Sequence, residues 1–453
     1  MQPKLIEFLQ EILTQIRADV LFSRYLSNLP DHPLRSVSCQ DVAVISIGKA
    51  AYEMFIALEE FYLHKEQSTP VLNTLLIIPK PDNANHSELL LDISMLQNVN
   101  IIFSDHPLPD EESLYAGQAI FDFIQEYKDK FLVFLISGGG SSLAEVLNNI
   151  SLKDYNDLMR NLMNNGININ ELNIIRKHLS KLKGGHLLSY IRKVRLKSLR
   201  KRVLALNTSC QIKRTKKSVS LSKCHTFILS DIFTKEYHNV SSGITFKDTI
   251  TRMDAKRILS KYQINDYYFR FLKETPTLFN SIPFNVIADN DTILNIAREI
   301  LQKRGYNSII YDYKLNENAS ICGLNIGCQI YRHRKSYQSP CAVIYGGEAT
   351  VEVRGNGIGG RILETALAIS IEIQEMSDVK VLAVASDGKD GNSKAMGVIV
   401  DGQTYANIAS TGITPERYLR NNDSYTALSK GALLIPAYHT GTNLNDFIIV
   451  FVE

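Results

Sequence analysis

Tryptophan is missing from this 453-residue chain, and cysteine, histidine and proline are sparse. The six cysteines (Cys39, Cys210, Cys224, Cys322, Cys328, Cys341) form no CxxC pair and have no histidine at zinc-ligand spacing. A structural zinc module is thereby excluded, and reduced thiols of the cytosolic kind are the plain reading. No apolar run approaches the ~20 residues that cross a bilayer. The opening segment carries Glu7 and Glu11 inside an amphipathic pattern and does not read as a signal peptide, so a cytoplasmic protein is expected. Charge of one sign is also lacking: 50 basic against 47 acidic residues leave +3, too little to draw the chain to nucleic acid or membrane by its overall field. Its length allows two domains.

What the sequence does have is a long apolar run that stops at a glycine-rich turn. Phe131 to Ile136 is uniformly apolar, as expected of a strand buried on both faces of a parallel sheet, and it is followed by Ser137-Gly138-Gly139-Gly140-Ser141-Ser142. Glycines let the backbone approach a ligand closely, and a turn that enters a helix aims amide groups at an anion, a phosphate above all. Further on, Leu172, Ile175, Leu179 and Leu182 make an apolar helical stripe, with Asn173, Arg176, Ser180 and Lys183 opposite it. A phosphate cradle at residues 137–142 and a cationic face bearing Arg176 and Lys183 are therefore expected to serve one site.

Alternating strands and helices surround this stretch. Strands are expected at 42–47, 72–78, 100–103, 131–136, 227–229, 285–288, 308–311, 341–345, 381–385 and 447–452, and helices at 51–62, 113–127, 292–304, 319–334 and 361–374. Such alternation implies an α/β fold with a doubly wound parallel sheet, whose ligands gather at the carboxyl ends of the strands. Gly48-Lys49, Pro107, Ser137 and Asp231 all stand at such ends. Residues 247–274 read as a polar helical connector. Between 192 and 217, eleven Lys and Arg residues occur without an acidic one. That run reads as a solvated basic insertion, with a nucleic-acid patch as the sharper alternative.

Gly355, Gly357 and Gly360 satisfy G-x-G-x-x-G ahead of a helix, so a dinucleotide site must be weighed. Glu352 between Val351 and Val353 spoils the all-apolar strand that such a site needs. Arg354 and Arg361 bracketing the loop suit a compact oxyanion instead.

Taken together, SGGGSS at 137–142, ELNIIRKHLSKLKGGHL at 171–187, GGEATVEVRGNGIGGR at 346–361, ASDGKDGNSKAMGVIVDG at 385–402 and TGTNLNDF at 440–447 resemble the glycerate 2-kinases of the MOFRL family, also known as hydroxypyruvate reductases. IGKA at 47–50 and HPLPD at 106–110 fit the same pattern. The resemblance implies a Rossmann-like three-layer N-terminal domain over residues 1–245, with the basic insertion at about 191–223, and a smaller α/β domain over 246–453 containing the MOFRL region at about 341–448, with a cleft between them. It further implies phosphorylation of the 2-hydroxyl of D-glycerate, or of a close 2-hydroxy acid, by ATP with Mg2+. By the same resemblance Lys49, Asp231 and Arg361 are catalytic candidates and Asp231 and Asp387 metal candidates. The phosphate or substrate would be bound by residues 137–142, Arg176, Lys183 and Glu348. The alternatives are a hydroxypyruvate reductase and a silent relative binding a sugar acid or nucleic acid. The expected partner is a small-molecule substrate, with no membrane and no nucleic acid, and a homodimer stays open.

Overall fold

A computed structural model of the chain describes residues 2–28, 32–67, 72–81, 96–205, 221–277 and 280–453. The chain forms two compact units, one of Phe22–Ser230 with Thr234–Ile287, the other of Met1–Leu21, Asp231–Phe233 and Ala288–Glu453.

The first unit is built on six strands: β1 (Val42–Ile47), β2 (Asn73–Pro79), β3 (Val99–Ser104), β4 (Phe131–Ile136), β5 (Cys224–Leu229) and β6 (Phe284–Ala288). Their order is β3-β2-β1-β4-β5-β6, and β1 runs parallel to both β2 and β4. Every residue of β1, β4 and β5 is buried, which is why these strands read as unbroken apolar runs. The chain reverses its direction of travel across the sheet between β1 and β4. Ile47 lies opposite Ile136 there, so the turns that follow these two strands emerge side by side at the topological switch point.

Residues 247–274 are not a connector but part of the first unit. The helix Arg252–Lys261, closed at its start by a Thr251–Asp254 capping box, buries Ala255, Ile258 and Leu259 against Leu158, Leu162, Ile175 and Leu179. This packing carries the first unit on to Ile287, beyond the boundary drawn at residue 245.

The second unit holds a mixed sheet of β7 (Asn307–Leu315), β8 (Cys341–Gly347), β9 (Val379–Ala385), β10 (Ala395–Asp401), β11 (Leu433–Pro436) and β12 (Asp446–Val452), in the order β11-β10-β9-β12-β8-β7. β7 and β8 are parallel, whereas β12 is antiparallel to both its neighbours. Residues 350–353, which alternate polar and apolar, form no strand. The helices Ala319–His333 and Arg361–Glu372 pack closely because Gly323 and Gly327 lack side chains. A Cβ at Gly323 would stand 2.4 Å from the Thr365 carbonyl oxygen, and one at Gly327 2.3 Å from Glu372 Cβ. No helix among the described residues is long and apolar enough to cross a membrane.

Candidate active site

In the first unit, the turns after β1 and β4 are woven together. Ser137 N donates to Ile47 O at 3.0 Å, Lys49 N to Gly138 O at 2.9 Å and Ala50 N to Ser137 Oγ at 3.0 Å. Gly48 has φ +129°, and a Cβ there would fall 2.1 Å from Ser137 Oγ; only glycine permits this approach. Gly139, at φ +87°, faces Lys49 Cγ and His106 Cδ2, at 3.2 and 3.4 Å from the position its Cβ would take. The turn therefore gathers the β1 lysine, the β3-end histidine and its own backbone in one place. The helix expected after this turn is a single turn, Gly140–Leu143, because Ala144 goes extended. So short a helix offers no appreciable dipole, and the polar groups of this turn are its own backbone and serine hydroxyls.

A third segment completes it. Ser241 and Ser242 both adopt left-handed backbone conformations, at φ +50° and +53°, a strain that non-glycine residues keep only where their surroundings over-determine it. Ser241 Oγ donates to Ser137 O at 2.9 Å, and Ser242 Oγ bonds Ser141 Oγ at 2.8 Å. Ser242 also donates to Asn173 Oδ1 at 2.8 Å, and the Arg176 guanidinium reaches that same oxygen at 3.5 Å. The helix Ile169–Leu179 thus holds the serine turn against residues 137–142. Lys177 reinforces this from the buried side, through Asn239 at 3.3 Å and Asp248 at 3.4 Å.

The second unit carries the arginine. Arg361 opens its helix; Nε and Nη2 donate to Asp446 at 2.5 and 3.2 Å, and Nη1 pairs with Glu348 at 2.8 Å. Burial works against this cation, but Asp446, Glu348 and Asp387 more than offset it and hold its proton more tightly than usual. Burial likewise pushes Asp446 up to about 6, with Arg361 opposing and Glu348 and Asp387 adding to the rise. Beneath the arginine, Asp390 accepts from Ile362 N at 3.1 Å and Leu363 N at 2.8 Å, so a carboxylate occupies the amides at the start of the helix. Its own burial pushes it up to about 7.

Asp231 and Asp387 border one segment of this unit. Asn443 Nδ2 donates to Asp231 Oδ2 at 3.2 Å, while Ser386, the neighbour of Asp387, takes Leu444 N on its Oγ at 2.9 Å and Thr440 Oγ1 on its carbonyl at 2.6 Å. Among the described residues no group of three or more His, Cys, Asp or Glu side chains is arranged to hold a metal ion. The acidic groups present fit a magnesium ion only in the manner of one or two carboxylates that share the ion with phosphate oxygens and water.

Comparison with known proteins follows the same outline. Residues 4–200 and 214–272 match the family described as a domain of unknown function (DUF4147), and 341–446 match the MOFRL family. The D-glycerate 2-kinase of Thermotoga maritima is 30% identical over 451 residues, covering 97% of this chain and 98% of that protein. The glycerate 2-kinase of Pyrococcus horikoshii is 32% identical, over 91% of this chain and 87% of its own length. The chain belongs to the MOFRL-family glycerate 2-kinases. The crystal structure of the T. maritima glycerate kinase matches with a TM-score of 0.77 at 27% identity, covering 99% of this chain and 98% of that one.

Several residues of this glycerate 2-kinase relative stand elsewhere than the sequence reading put them. Lys183 is no surface clamp: it is fully buried, as is Glu145, and its ammonium is bonded to the Glu145 carboxylate and, at 3.2 Å, to Ala144 O. The helix that was to carry Ser180 and Lys183 beyond Leu179 ends there, since Ser180 Oγ accepts from Leu182 N and Lys183 N. The glycines of 355–360 make room for neighbouring protein rather than for a pyrophosphate. A Cβ at Gly355 would meet Asn421, and one at Gly357 would meet Asp423. The loop amides are already taken: Gly355 N by Asn422, Ile358 N by Asp423, Gly359 N by Asn392. Arg354 is exposed and pairs with Glu352, apart from the Arg361 cluster. Of the basic run, residues 192–201 lie on the helix His186–Ala205, and Arg195 is a buried staple donating to the carbonyls of Lys128, Lys130 and Lys223; residues 206–217 lie outside the described residues. The sequence reading did not single out Ser241, Ser242, Asp390 or Asp446. An acid heading an otherwise apolar final strand was the available signal for Asp446.

Proposed function

We propose that this chain transfers the γ-phosphoryl group of Mg-ATP to the 2-hydroxyl of D-glycerate, or of a close 2-hydroxy acid, giving 2-phosphoglycerate. The observation that carries this reading is the likeness to the T. maritima D-glycerate 2-kinase along essentially both chains. Phosphoryl transfer asks a protein mainly for positioning and for positive groups around the moving phosphate. The residues 137–142 turn is suited to hold phosphate oxygens on backbone amides, and Lys49, half-buried beside Gly138 and Gly139, to neutralise charge on the transferring group. Arg176, tied to Asn173, is suited to a phosphate or carboxylate, and Arg361 presents a guanidinium that Asp446 and Glu348 hold in place. Asp231, oriented by Asn443, is suited to align the acceptor hydroxyl or to share in metal binding with Asp387. A magnesium ion, if held by Asp231 and Asp387, would supply charge neutralisation for the phosphates.

A coupled ADP-release assay with ATP against a panel of 2-hydroxy acids tests this. Turnover is expected with glycerate, and folded protein that releases no ADP with any hydroxy acid would refute it. The rival reading, reduction of hydroxypyruvate with a nicotinamide cofactor, is disfavoured by the occupied amides of 355–359. NADH fluorescence titration is expected to show no saturable binding.

A further inference from the structure

A hydroxyl group has one hydrogen to give, so a row of bonded hydroxyls has a direction. Here one end fixes it. Arg176 Nη1, which can only donate, reaches the Asn173 side chain at 3.5 Å, and this identifies the amide atom facing it as the oxygen Oδ1. Ser242 Oγ lies 2.8 Å from the same oxygen and must donate to it. With that hydrogen spent, the 2.8 Å bond between Ser242 Oγ and Ser141 Oγ is made with the hydrogen of Ser141. Ser141 therefore ends the row with lone pairs to offer and no proton to give.

The middle of the row is sealed and its two ends are open. Asn173 and Ser242 are buried, whereas Ser141 and Arg176 are half-buried. Ser241, bonded to Ser137 O at 2.9 Å, keeps the serine turn in register with residues 137–142. One end thus presents a guanidinium, which pairs with a carboxylate or a phosphate. The other presents an acceptor, which is repelled by a phosphate oxygen or a carbonyl and bonds a hydroxyl. An anion and a hydroxyl on neighbouring carbons are what a 2-hydroxy acid carries. Its 2-oxo counterpart puts a second acceptor where the hydroxyl was. Holding the hydroxyl by its hydrogen also leaves the lone pairs of its oxygen free for the phosphoryl group.

We propose that Ser141 and Arg176 form the subsite of the acceptor molecule, Arg176 on its carboxylate and Ser141 accepting from its 2-hydroxyl, and that Ser141 selects 2-hydroxy acids over 2-oxo acids. The inference rests on the reading of the chain as a hydroxy-acid kinase. It is tested by binding, so a chain that binds glycerate and releases no ADP fails that reading and not this one. Isothermal titration calorimetry of the full chain, with a non-hydrolysable ATP analogue bound, compares D-glycerate with hydroxypyruvate, and D-lactate with pyruvate as a second pair. Each hydroxy acid is expected to bind about tenfold or more tightly than its oxo partner, because a fixed acceptor left against a carbonyl loses its bond. That comparison needs no variant to fold. Ser141→Ala is expected to abolish the preference, and Arg176→Met to weaken both acids of a pair alike, with the affinity for the nucleotide analogue unchanged in each. Asn173→Asp, whose side chain still accepts from Ser242, is expected to keep the preference. The proposal is overturned if the oxo acids bind the unaltered chain as tightly as the hydroxy acids, or if no acid binds. It is equally overturned by a preference that survives Ser141→Ala in folded protein, or by substitutions that weaken the nucleotide and leave the acids unaffected.

Discussion

Removing the Lys183 ammonium separates two accounts of this residue, a ligand clamp and a buried structural ion. Lys183 and Glu145 are both fully buried. The Glu145 carboxylate also accepts from Ser180 Oγ and, at 2.9 Å, from Val146 N. Burial pulls the Lys183 proton affinity down and Glu145 pulls it back up, the net being a lowered value. Lys183→Met keeps much of the volume and leaves Glu145 as an uncompensated buried charge, which costs about 3–5 kcal/mol. At ~2–4 °C per kcal/mol for a unit of this size, the melting temperature should fall by about 10 °C. Glu145→Gln added to Lys183→Met removes the stranded charge and should recover most of the stability. Differential scanning calorimetry of the three variants measures this. An unchanged melting temperature in Lys183→Met, with a raised KM for an anionic substrate, would refute the structural assignment and restore the clamp.

Other outcomes follow from single contacts. Arg361→Lys keeps a charge but cannot bridge Asp446 and Glu348 at once; kcat should fall by about 10²–10³ with an unaltered melting temperature, as steady-state kinetics would show. Gly140→Ala would place a Cβ 2.3 Å from Ser241 Oγ, pushing the serine turn off the cradle; KM for the phosphoryl donor should rise well before kcat changes, and Ser241→Gly in the same chain should relieve it. Asp390 is buried with its pKa raised from 3.8 to about 7. Across that interval the folded unit binds more protons than the unfolded chain, so stability should decline as pH rises from about 4 to 7. Asp390→Asn should flatten that slope while lowering stability overall, because an amide nitrogen would then face Ile362 N or Leu363 N; urea titrations at stepped pH would test both.

Legibility in the sequence followed the range of the interactions. β4 was readable end to end because burial on both faces makes the strand apolar throughout, and the capping box of the helix Glu111–Glu126, Asp110 with Ser113, is a signal four residues long. The turn at 137–142 was readable for the same reason, as an abrupt local change. What failed was periodicity carried past a local event. The stripe from Leu172 to Lys183 keeps helical spacing, but Ser180 turns its hydroxyl onto Leu182 N and Lys183 N, and Glu145 offers a buried partner from a different segment. Nothing in the spacing of 171–187 records that partner.

The glycine fingerprint at 355–360 fails differently and more usefully. A glycine reports only that some atom comes close; at Gly355 and Gly357 that atom belongs to Asn421 and Asp423, and the amides a pyrophosphate would need are spent on Asn422, Asp423 and Asn392. At Gly139 the neighbours are a lysine and a histidine side chain, cationic and polar groups rather than the acceptors that surround residues 355–359. The two loops are alike in composition and opposite in what surrounds them. What a glycine-rich loop can bind is therefore decided by the segments packed on it, Ser241–Ser242 at one loop and 421–423 at the other, rather than by the loop itself.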